Sequence, residues 1–86
     1  MINELDVIAL AEAMTVKHFA EDKTILLRRG QVGTVVEVYK NGEAFEVEFS
    51  DNDGQTYAMI AVKPDKLIVL YHDIKEPTAK LSPQKN

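Results

Sequence analysis

The stretch Gly33-Thr34-Val35-Val36-Glu37-Val38-Tyr39-Lys40-Asn41-Gly42-Glu43-Ala44-Phe45-Glu46-Val47-Glu48-Phe49 decides the fold. Its first arm, Thr34 to Tyr39, alternates as a strand, with Val36 and Val38 directed to one side. Asn41-Gly42 follows, a dipeptide suited to a type I′ turn because both central residues of that turn need positive φ. In the second arm Phe45, Val47 and Phe49 alternate with Glu46 and Glu48. Period two with apolar residues in and charged residues out is the mark of a half-buried antiparallel strand. A β-hairpin is expected here, and it sets the frame for its neighbours.

Downstream, Asp53-Gly54 marks a second turn that leads into a strand from Tyr57 to Val62. Pro64-Asp65-Lys66 interrupts the chain, as a single helical turn, before a last apolar strand from Leu67 to Tyr71. Upstream, Leu5 to Leu10 reads as the first strand; Ala11, Ala13 and Met14 beyond it would suit a helix on propensity alone, but the β character of everything downstream favours a strand. Residues 15–31 are polar at Lys17, His18, Glu21, Asp22 and Lys23, with Ile25, Leu26 and Leu27 as an apolar anchor. A long loop with a short extended piece is expected there, and a loop of that length is a candidate functional surface. From Asp73 the composition turns to Lys75, Pro77, Lys80, Pro83 and Lys85. The expected organisation is a domain over residues 1–72 and a disordered tail over 73–86. Five short strands imply an all-β fold, a small closed or nearly closed barrel, since closure hides edges that would otherwise aggregate.

The 86 residues make one domain, and 45% hydrophobic with 28% charged residues is a globular composition. There is no cysteine, which removes disulfides, thiolate metal sites and thiol nucleophiles and fits a reducing, cytoplasmic setting. No run approaches the roughly 20 apolar residues that cross a bilayer, and no secretory signal is read at the N-terminus. Fourteen acidic against ten basic residues give a net charge of −4. An acidic body repels phosphate backbones, so a protein partner, possibly basic, is favoured over nucleic acid or membrane.

Arg29-Gly30-Gln31-Val32-Gly33-Thr34-Val35-Val36-Glu37-Val38 resembles the KOW-type element, in which one glycine opens a turn and a second starts a twisted strand. With Glu4-Leu5-Asp6-Val7, Glu43 to Phe49 and Lys66-Leu67, roughly residues 4–70 resemble a family of small bacterial SH3-like barrel proteins of unknown function. Residues 15–28 and the C-terminal tail depart from that pattern. The resemblance implies an SH3-like barrel and a bacterial cytoplasmic setting, and it implies no mechanism, because this scaffold hosts many functions.

No constellation for catalysis is read, and neither is a cofactor. His18 and His72 are 54 positions apart without metal-ligand spacing, and read as surface histidines. Asp51-Asn52-Asp53-Gly54 resembles the opening of a calcium loop, but the bidentate Glu such a loop needs falls on Val62, so a hairpin turn is the better reading. The glycines form no phosphate cradle, and Ser50 and Ser82 lie outside any nucleophile elbow. Glu37, Glu46 and Glu48 should share the outward face of one hairpin beside Tyr39. On such a face carboxylates stay ionised, and an aromatic anchor among them suits an Arg/Lys-rich partner. The expected function is a non-catalytic protein-binding module, most concretely an antitoxin or immunity-type protein that masks a basic surface through these four residues. The competing readings are an RNA- or ribosome-associated module acting through Arg28 and Arg29, and an accessory subunit of a larger complex.

Overall fold

The computed structural model describes residues 1–73, and the expected tail lies, from residue 74 on, outside them. Seven strands follow in chain order: β1 (Val7–Leu10), β2 (Met14–Lys17), β3 (Thr24–Leu27), β4 (Val32–Tyr39), β5 (Ala44–Ser50), β6 (Thr56–Val62) and β7 (Leu67–Tyr71). The one helical segment among the described residues is the 3-10 turn Pro64–Lys66, and no helix there is long and apolar enough to cross a membrane. Five strands form one antiparallel sheet in the order β6-β5-β4-β1-β7, and β2 pairs with β3 as a separate hairpin.

Two expectations are corrected here. The count of five strands becomes seven, because residues 15–31 are not a long loop. Met14-Thr15-Val16-Lys17 and Thr24-Ile25-Leu26-Leu27 pair in register, so Met14, Val16, Ile25 and Leu27 all face the core. Residues 18–23, mostly polar, are only the tip of that hairpin. The sheet also does not close: β6 and β7 are its two ends and do not pair with each other. The hairpin lies over the core instead, and its tip docks on one end of the sheet through the Phe19 N–H donated to Tyr57 O at 2.9 Å.

The core follows from the register. Ile8 and Leu10 of β1, Leu27 of β3, Val35 of β4, the Phe45-Val47-Phe49 series of β5, Ala58 and Val62 of β6 and Leu67 of β7 are buried together. β5 shows the expected strict alternation. β4 does not, because the pairing passes from Val35↔Val47 to Glu37↔Glu46, leaving Val36 as an extra residue in a β-bulge. Gly33 and Val35 therefore point inward before the bulge and Val38 packs inward after it, rather than Val36 and Val38 sharing a side. The β4–β5 turn is also shifted by one residue. Lys40 (φ 47°) and Asn41 (φ 59°) are its central pair, and both Gly42 and Glu43 donate their N–H to Tyr39 O.

Gly33 is fixed by space. A Cβ there would lie 2.8 Å from Phe49 Cε1 and Val47 Cγ1 and 2.9 Å from the carbonyl oxygen of Glu48. Two of these belong to the buried centre of β5 and the third is backbone, so the neighbours have little room to give. Gly33→Ala is expected to destabilise the fold by about 1–3 kcal/mol, the usual range for overpacking a filled core, read as a lower urea midpoint at unchanged slope.

Candidate partner-binding face

The bulge at Val36 also sets the outer face. Beyond it, Glu37 and Tyr39 of β4 turn outward and meet the outward residues of β5, with Glu37 directly opposite Glu46. The Tyr39 hydroxyl donates to Glu46 Oε1 at 2.9 Å. That bond to a carboxylate, together with burial and the negative charge of Glu46 and Glu37, holds the Tyr39 phenol above its ordinary pKa. Glu48, one pleat along, lies opposite Thr34 and Met59 and accepts a hydrogen bond from the Thr56 hydroxyl. The four residues expected at the site thus share one face.

Arg28 and Arg29 lie elsewhere. They precede Gly30 in the turn between β3 and β4, where Gln31 N–H donates to Arg28 O at 2.9 Å and Gly30 takes φ 89°, a left-handed conformation that suits glycine. Both arginines are exposed and make no ion pair among the described residues. They precede the start of β4, whereas Glu37, Tyr39 and Glu46 lie at its far half, about 20 Å along at the rise of an extended strand, with Glu48 between, opposite Thr34.

Asp6 is the residue that sequence reasoning missed. Its side chain is 2% exposed, just before β1. One carboxylate accepts the N–H of Asn3 at 2.8 Å, the N–H of Asp73 at 3.0 Å and Nδ1 of His72 at 2.8 Å. Burial alone would raise its pKa, but the two backbone bonds and the His72 bond outweigh that and hold the carboxyl below the ordinary aspartate value. The clue in the sequence was an acid alone among Leu5, Val7, Ile8, Ala9 and Leu10. His72, expected as a plain surface histidine, is half exposed yet tied to this buried acid.

Other polar groups serve their own turns. His18 Nδ1 accepts the N–H groups of Ala20 and Glu21, both at 3.0 Å, shaping the β2–β3 tip. Asp51 Oδ1 accepts from Asp53 N–H at 2.9 Å and Gln55 N–H at 3.0 Å, the local bonding of an Asx-type hairpin turn. A shallow cavity of about 360 Å³ lies between Met1–Glu4 and the β4–β5 turn, with Glu4 as its one lining carboxylate.

Removing the buried Asp6 carboxylate breaks three part-buried hydrogen bonds at once, so Asp6→Ala is expected to cost about 1–3 kcal/mol by urea denaturation. His72→Ala costs less, because both backbone bonds remain. The carboxyl has a lower pKa folded than unfolded, so its stabilisation is complete above the unfolded value and is lost as pH falls through the folded one. Below about pH 4, wild-type stability should therefore fall by more than that of Asp6→Ala, which lacks this component.

No curated protein and no solved structure matches the chain. A family model does match, over residues 4–69, from the turn before β1 to the middle of β7. That span holds β1 to β6, the first part of β7, Asp6 and the acidic face, and the chain belongs to the family described as a domain of unknown function, DUF4926.

Proposed function

We propose that this chain is a non-catalytic protein-binding module on an SH3-like scaffold, and that Glu37, Tyr39, Glu46 and Glu48 engage a basic surface of another protein. The observation that carries the reading is the Glu37↔Glu46 pair. Like charges directly opposite on one sheet face are destabilising, by roughly 0.2–1 kcal/mol. A cationic partner relieves that repulsion on binding, so the same arrangement that weakens the free fold strengthens the complex. Tyr39 adds an amphipathic ring whose hydroxyl is already oriented by Glu46. The most concrete form is an antitoxin or immunity-type protein in the bacterial cytoplasm that masks a basic, nucleic-acid-facing surface, with electrostatic steering speeding capture.

The reading separates function from stability in a measurable way. Glu37→Gln leaves every hydrogen bond among the described residues in place, and is expected to hold or raise the urea midpoint while weakening partner binding. The direct test is capture of the partner from native cells, followed by association kinetics with the pure pair. The double change Glu46→Lys and Glu48→Lys should slow association at least tenfold at low salt and flatten its dependence on ionic strength. Unchanged kinetics in a folded double variant would refute the acidic face. RNA binding at low salt that is lost on changing Arg28 and Arg29 would replace this reading with the nucleic-acid one.

A further inference from the structure

The two ends of the sheet are unlike. At β6 the hairpin tip supplies a backbone bond, Phe19 N–H to Tyr57 O. At β7 no described residue pairs with the outer edge. Native edges are commonly protected by charge, proline or a covering element. β7 is short, and Leu70 falls at an irregularity opposite Val7 and Ile8, but Leu67-Ile68-Val69-Leu70-Tyr71 carries neither a charge nor a proline.

The side chains agree with the backbone. Ile68 is 53% exposed, Leu70 48% and Tyr71 64%. The register places Ile68 beside Ala9, and Ala9 beside Val32, itself 50% exposed. An apolar strip thus runs across β4, β1 and β7 and stops at the open edge. The backbone groups at that edge can be located. Ala11 N–H donates to Lys66 O, so the alternation of an antiparallel ladder makes Ile68 the next residue bonded to β1 and turns the N–H and C=O of Val69 outward.

We propose that β7 is a strand-pairing edge whose occupant is a second copy of this chain, joined β7 to β7 in antiparallel fashion about a two-fold axis at Val69. The strand is self-complementary in this arrangement. The two Val69 residues exchange both backbone bonds, Ile68 of each copy lies beside Leu70 of the other, and the apolar strip continues across the axis. The charges at the strand ends match as well. Lys66 precedes β7 and Asp73 follows it, so the antiparallel arrangement brings Lys66 of each copy to the His72–Asp73 end of the other. The acidic residues of β4 and β5 lie two and three strands from this edge, about 10–15 Å at normal strand spacing, and roughly 20 Å or more from their counterparts across the axis. That exceeds the Debye length of about 8 Å at physiological ionic strength, so these residues do not oppose pairing there.

The test is the solution mass of the full chain by light scattering or sedimentation at roughly 0.1 mM, where even a micromolar dimer is saturated. The expected mass is twice the 9.6 kDa of the monomer. Hydrogen exchange should show the Val69 amide protected. Ile68→Lys should weaken the dimer at least tenfold and expose that amide, while Leu26→Lys, an equally exposed apolar position on the β2–β3 hairpin, should leave the mass unchanged. A monomer at that concentration overturns the proposal, and a monomer with Val69 still protected assigns the edge to the chain's own residues beyond Asp73. A dimer that survives Ile68→Lys places the contact on another surface and overturns it equally.

Discussion

A buried carboxylate must find donors, and the way Asp6 finds them organises the sheet. β1 lies between β4 and β7, so both long-range pairings pass through it. Asp6 stands at its entrance, with Val35 N–H bonded to its backbone oxygen at 3.0 Å. Its side chain gathers one donor from the turn before β1 and two from the end of β7. An ionised group at 2% exposure would be strongly destabilising without these bonds. The chain therefore has a definite place to enter the sheet and a definite place to leave it, side by side. Leu5, at φ 70°, lies in the turn this bonding holds, which accounts for a bulky residue in a left-handed conformation.

How much of this was legible depends on how local its cause is. β5 could be read because its alternation is unbroken over seven residues. β4 could be read as a strand but not phased, because Gly33-Thr34-Val35-Val36 obeys one alternation and Glu37-Val38-Tyr39 the other. Each is right on its own side of the bulge. β2 and β3 were hidden for a different reason. Each has four residues, the tip between them is polar, and Ala11, Ala13 and Met14 favour a helix on propensity, although Met14-Thr15-Val16-Lys17 already alternates. Non-local facts could not be read at all: that the sheet stays open, that His72 meets Asp6 across 66 positions, and that a Cβ at Gly33 would strike Phe49. The acidic face was legible because Glu46 and Glu48 fall on the solvent phase of the best strand, and Tyr39 and Glu37 join them through the turn.

The outer surface is divided by strand. The acidic set lies on β4 and β5, and the exposed apolar residues on β7 and at the start of β4, with buried Ala9 of β1 between them. The two regions share a sheet but answer to different physics: one is long-ranged and weakened by salt, the other short-ranged and insensitive to it. They do not overlap, so the proposed edge pairing would leave the charged face open to solvent.

The bulge at Val36 has a consequence for how such a surface changes over time. It divides β4 into two segments whose inward and outward positions are set separately, although both send a side to the packed interior. The outward residues beyond it, Glu37 and Tyr39, are phased separately from Gly33 and Val35, which keep their places against Phe49 and Val47. A change in the turn's length is thereby absorbed on its own side of the bulge, without resetting which residues of the first half face inward.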